Sequence, residues 1–111
     1  MQIFQLDELM DEMAFEHNEW AEFLRVPSLS MGVYVLPPGA DDEQQPHTED
    51  EVYYIIDGTA KFRVKDEVRP VRKGTILFVE RNVEHRFIDI EDDGLVVLVF
   101  FAPAEHSLED Q

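Results

Sequence analysis

The sequence predicts an all-β fold, a closed antiparallel barrel or jelly roll preceded by one short helix. Three observations point there. From about Ala21 onward the chain breaks into short β-branched and aromatic runs punctuated by Gly, Pro and Asp, the composition of strands and turns. Convincing helical periodicity is confined to the N-terminal stretch. Strands this short, joined by such turns, favour a sheet that closes and so hides its edges.

Taking the elements in order, Leu6, Leu9, Met10, Met13 and Ala14 recur near the three-and-four spacing of one helical face. Residues Leu6 to Phe15 are therefore expected to form an amphipathic helix. Asp7, Glu8, Asp11 and Glu12 occupy the opposite face, and the acids near the start suit the positive end of the helix dipole. Trp20 and Phe23, just beyond, read as anchors that pack the helix down. Strands are then expected over Glu22 to Val26, Met31 to Leu36, Val52 to Asp57, Ala60 to Lys65, Thr75 to Val79, His85 to Ile90 and Leu95 to Phe101. Pro37-Pro38-Gly39 ends one of them, Asp57-Gly58 has the chemistry of a tight hairpin, and Asp92-Asp93-Gly94 makes a further hairpin connection. The tail after Pro103, with Glu105, Glu109 and Asp110, is polar enough to fray. A single domain is expected over 1–111: a helical segment 1–20, a barrel 21–103 and a polar tail 104–111. At 111 residues the chain is long enough for one core and too short for two.

Composition narrows the function. The formal charge is −16, from 25 acidic against 9 basic residues, and this repels phosphate backbones and anionic lipid headgroups, so neither nucleic acid nor membrane is expected as a partner. The N-terminus has no basic stretch followed by an apolar run, which makes the cytoplasm the expected location. With no cysteine, any metal must be held by histidine, carboxylate or amide groups.

The chemistry-bearing stretch runs from Pro46 to Gly58. Fully extended, His47 and Glu51 would stand about 13 Å apart at roughly 3.4 Å per residue. Both reach one ion only if the chain bends at Thr48 to Asp50. Six residues separate Glu51 from Gly58, and three separate His47 from Glu51. A second cluster lies in Gly74 to Asp89, with His85 at its centre. On one strand face Glu51 is followed by Tyr53 and Ile55, and on another His85 is followed by Phe87.

In these spacings the chain resembles the cupin family. The first cupin motif is a glycine, five residues, His-x-His, three or four residues, Glu, six residues and a glycine. His47 falls on its second histidine, Glu51 on its glutamate and Gly58 on its last glycine. Gln45 stands where the first histidine belongs, and Gly39 matches the leading glycine approximately. The second motif, Gly-x5-Pro-x-Gly-x2-His-x3-Asn, keeps its spacing with Gly74 and His85 in place; Glu80, Asn82 and Asp89 stand for the proline, glycine and asparagine. Asn82 is a sensible substitute, because Asn tolerates the left-handed backbone that glycine otherwise supplies.

The resemblance implies a double-stranded β-helix, a jelly-roll barrel, with three histidines and a glutamate on one divalent ion. Here it offers His47, Glu51 and His85, with Gln45 as candidate fourth ligand through its oxygen. Two histidines and one carboxylate suit non-haem iron and equally manganese, nickel or zinc. Tyr53 and Phe87 read as pocket walls. Asp42, Gln44 and Glu49 read as solvated groups, and His17 and His106 as surface residues. The expected function is a small metal-binding cupin, with a metal-dependent, oxygenase-type enzyme acting on a small organic molecule as the leading reading. A non-catalytic module that binds a small ligand or metal, or a metal-free structural dimer, is the alternative. A homodimer is expected from the family.

Overall fold

The structure is a computed structural model that describes residues 1–42 and 46–108. The helix α1 spans Leu6–Glu16. It ends where His17 turns left-handed, at φ 58°. The His17 and Asn18 amides then close back on the carbonyls of Ala14 and Met13 at 3.3 and 2.9 Å, satisfying C-terminal groups that would otherwise stay open. Met13, 3% exposed, is the residue that α1 buries. No helix among the described residues is long and apolar enough to cross a membrane.

Seven strands follow: β1 Trp20–Val26, β2 Leu29–Leu36, β3 Asp50–Val64, β4 Glu67–Arg72, β5 Ile76–Val79, β6 His85–Ile88 and β7 Leu95–Ala102. All pairings are antiparallel. The order β1-β2-β7-β3 makes one sheet, with β5 on the far side of the first half of β3. The second half of β3 crosses into another layer and pairs β4 and β6. The chain is thus the expected double-stranded, jelly-roll arrangement with one short helix ahead of it.

Two expected connections are corrected and one strand is added. Asp57-Gly58 is not a hairpin: β3 runs unbroken through it, with a register shift against β7 between Ile55 and Asp57. Gly58 sits at φ 99°, and a Cβ there would lie 2.1 Å from the Gly94 carbonyl oxygen, so the glycine serves a bulge and a close backbone approach. Asp92-Asp93-Gly94 is not a hairpin either, because β6 and β7 both pair with β3. The strand β4 went unpredicted. It carries Pro70 and buries only Val71, a pattern that a terminal strand of the sheet tolerates.

The inner faces meet in a core built around Tyr53, Ile55, Phe62, Phe87, Val97 and Val99. Tyr53, Phe62 and Phe87 stack mutually, with ring centroids 4.8 to 5.6 Å apart. This aromatic block lies beneath His85.

Candidate metal centre

Each expected ligand is delivered by a different piece of backbone. Glu51 is the second residue of β3 and points inward, in register between Val79 of β5 and Phe101 of β7. It is 1% exposed. His85 opens β6, and its ring rests against Tyr53 and Phe62 with centroids 5.8 Å away in both cases. His47 precedes β3, and the chain bends at Thr48 and Glu49, which brings it back over Glu51. The His47 carbonyl accepts the Asn82 amide at 2.6 Å. Asn82 has φ 62°, the left-handed conformation expected of it, so the loop of the second motif pins the histidine of the first.

The three side chains converge. His85 Nε2 lies 2.9 Å from Glu51 Oε1, and His47 Nδ1 lies 3.5 Å from the same oxygen. The ligand atoms of all three residues fall within 4.8 Å of one another. Gln45, the expected fourth ligand, lies outside the described residues, as does Gln44. Tyr53 and Phe87, expected as pocket walls, stand in the core behind the ligands, and the Tyr53 hydroxyl meets His85 Nε2 at 2.9 Å.

A cavity of about 250 Å³ opens beside His47 and Glu51, walled by Trp20, Tyr34, Val99 and Phe101 and rimmed by Glu105 and His106. Trp20 packs against Gly32, where a Cβ would come within 2.3 Å of the indole ring, and it lines the cavity. Phe23 does anchor the N-terminal segment, through an edge contact with Phe4 at 4.9 Å.

Sequence reasoning missed four polar groups. Asp42 and Glu49, read as solvated, are 2% and 1% exposed. Asp42 accepts the Tyr34 hydroxyl at 3.2 Å and the Phe87 amide at 2.8 Å. Glu49 accepts the Thr48 hydroxyl and the amides of His106 and Leu108. Glu105 and His106, read as tail, stand at the cavity, with Glu105 Oε2 3.0 Å from His47 Nε2 and 3.5 Å from His106 Nε2. No local pattern announces the contacts to Phe87, His106, Leu108 and His47, which join positions far apart in the chain.

With this geometry in view, the comparisons decide the family. A family model for the cupin domain matches residues 32–101. The chain belongs to the cupin family. A relative in Streptomyces coelicolor, the uncharacterized protein SCO3923, is 41% identical over 105 residues, covering 95% of this cupin and 99% of its own length. Two solved structures share the fold. One is an uncharacterized conserved protein of Klebsiella pneumoniae with a double-stranded β-helix domain (TM-score 0.77, 18% identity, 93% and 90% of the two chains). The other is an RmlC-like cupin of Methanocaldococcus jannaschii (TM-score 0.69, 22% identity, 76% and 78%).

The residues of this cupin fit a metal ion. Ligand bonds of about 2.0–2.2 Å imply ligand–ligand edges of about 2.8–3.6 Å, and the two edges to Glu51, 2.9 and 3.5 Å, fall in that range. Both Glu51 oxygens and His47 Nδ1 are buried without a hydrogen-bond partner. A buried carboxylate is costly unless its charge is matched; with His47 and His85 neutral, a shared cation would supply that charge and satisfy all three atoms together. His85 has its other ring nitrogen tied, with Nδ1 2.8 Å from the Val83 carbonyl, which in the neutral ring leaves Nε2, here also 2.9 Å from the Tyr53 hydroxyl, as the nitrogen with a lone pair to offer a metal.

Charge follows the same geometry. Burial works against ionisation of Glu51, yet His47 and His85 outweigh it and hold its carboxyl below the ordinary range. Burial also works against a charged His47, but Glu105 and Glu51 push it up to about 10. His85 is raised as well, with Glu51 and the Val83 carbonyl overcoming its burial.

Proposed function

We propose that this cupin holds one divalent transition-metal ion on His47, Glu51 and His85 and acts, as a metal-dependent enzyme, on a small organic molecule seated in the adjoining cavity. The observation that carries the reading is the Glu51 carboxylate, buried with one oxygen 2.9 and 3.5 Å from the nitrogens of two imidazoles and the other, Oε2, without a hydrogen bond. When bound, the ion supplies Lewis acidity or, as iron, redox chemistry with oxygen. Trp20, Tyr34, Val99 and Phe101 exclude water and orient an apolar body. About 250 Å³ suits a molecule of roughly ten non-hydrogen atoms. Tyr34 stays a neutral phenol, because burial and the Asp42 carboxylate both raise its pKa. Glu105 and His106 at the rim are the groups able to hold or pass a proton to a bound molecule.

The test is titration of metal-free protein with Fe²⁺, Mn²⁺, Ni²⁺ and Zn²⁺, alongside Glu51→Gln and His85→Ala, followed by a small-molecule thermal-shift screen with and without the bound ion. One tight site lost in both variants, and hits that need the ion, are expected. Equal affinities in wild type and variants for all four metals would overturn the reading.

We also propose that the chain pairs with a second copy through the outer face of the sheet. Two cross-strand rows there are apolar: Met31, Phe100, Val52 and Phe78 in one, and Leu98, Tyr54 and Ile76 in the other, which runs into the buried Val33. Tyr54, Ile76 and Phe78 are 40%, 69% and 62% exposed. Neither row carries a charge, in a chain of net −16. A second copy offers the same flat, uncharged face, and sheet-on-sheet packing about a twofold axis buries both at once.

A further inference from the structure

The segment after β7 does not hang free. Ala104 is 1% exposed and its amide reaches the Pro27 carbonyl at 3.3 Å. The Glu105 amide donates to Ser30 Oγ at 2.8 Å, while its carbonyl accepts Arg25 Nη2 at 2.7 Å. One residue on, the amides of His106 and Leu108 donate to the two oxygens of Glu49, at 2.9 and 3.2 Å. The Glu105 backbone is thus clamped from both sides, and its carboxylate is delivered to one place: 3.0 Å from His47 Nε2, across the ring from Glu51.

We propose that Glu105 is a positioning residue for His47, accepting the Nε2–H and so turning Nδ1 toward Glu51 and the ion they share. This rests on the metal reading above. His85 has a backbone carbonyl for the same purpose. Among the described residues His47 has no such carbonyl: it precedes β3 at a bend, beside an open cavity, with its ring packed on Phe101 and Glu105 at its Nε2. Both side chains are mostly shielded, 13% exposed for His47 and 14% for Glu105, so the pair is not a solvent-screened surface bridge. A carboxylate behind a ligating histidine fixes the ring orientation and raises its basicity. The C-terminal segment therefore belongs to the metal site.

The test uses the full chain with Glu105→Ala and Glu105→Gln, titrated with Ni²⁺ and Mn²⁺. Glu105→Ala is expected to weaken binding by about 10- to 100-fold, and Glu105→Gln, whose amide oxygen still accepts the N–H, to stay within about threefold of wild type. A second readout needs no metal: proton NMR of the metal-free protein is expected to show a hydrogen-bonded imidazole N–H that vanishes in His47→Ala and Glu105→Ala and persists in Glu105→Gln. Unchanged affinity in Glu105→Ala, equal losses in both variants, or an N–H signal that survives Glu105→Ala would overturn the proposal. Failure of wild type to bind either metal would instead strike the metal reading, and the N–H signal then still decides whether Glu105 holds the ring.

Discussion

At the scale of single residues, the site balances charge in two equivalent ways. On the metal reading, the negative charge of Glu51 and Glu105 is balanced either by protons on His47 and His85 or by one divalent ion. The ion therefore competes with protons. Because His47 is pushed up to about 10 from an ordinary 6.5, the folded metal-free chain keeps a proton that the unfolded chain releases between those values. Its stability is thus complete below pH 6.5 and is lost as pH rises toward 10. Thermal melts of metal-free protein across that window are expected to fall, while metal affinity measured over the same window rises. Glu51 acts in the opposite direction: its depressed pKa contributes stability above its ordinary 4.5 that disappears on acidification. These residues were legible because motif spacing marks His47, Glu51 and His85 directly. Asp42, Glu49 and Glu105 were not, because their partners, Phe87, His106 and His47, lie 45, 57 and 58 positions away in the chain.

At the scale of elements, β3 is the piece that builds the site, since one continuous strand carries Glu51 at its start and crosses from one sheet to the other. The Asp-Gly dipeptide between two apolar runs read as a hairpin, because that is the commonest use of such a pair. Only the fold reveals that Gly58 faces Gly94 across a contact too tight for any side chain. Gly58→Ala is expected to lower stability by about 2–3 kcal/mol, from backbone strain and the clash together. Gly39, also at positive φ but with open space around it, gives the control: Gly39→Ala should cost only about 1 kcal/mol. Urea denaturation of both separates the two effects, and equal losses would refute the close-approach account. The helix and six of the seven strands were readable from periodicity and turn residues; β4 was not, because Pro70 and alternating charges hide a strand that buries a single side chain.

At the scale of the whole molecule, acidity and apolarity are segregated. The chain carries −16 overall, yet the outer rows ending at Phe78 and Ile76 are uncharged. Light scattering at micromolar concentration is expected to give a dimer mass for wild type and a monomer mass for Ile76→Lys combined with Phe78→Glu. A wild-type monomer would refute the pairing. The barrel itself was legible because strand patterning and two spaced motifs agree. The closing of the C-terminal segment over the cavity was not, since a polar tail looks the same in sequence whether it frays or docks.

An acidic surface also attracts cations loosely, so stoichiometry alone is a weaker criterion than position. The most direct measurement is an anomalous difference map from crystals grown with Mn²⁺ or Fe²⁺. The account predicts a single dominant peak at about 2.0–2.3 Å from His85, Glu51 and His47, absent in crystals of His85→Ala. A dominant peak among surface carboxylates, or none between the two histidines at saturating metal, would contradict it.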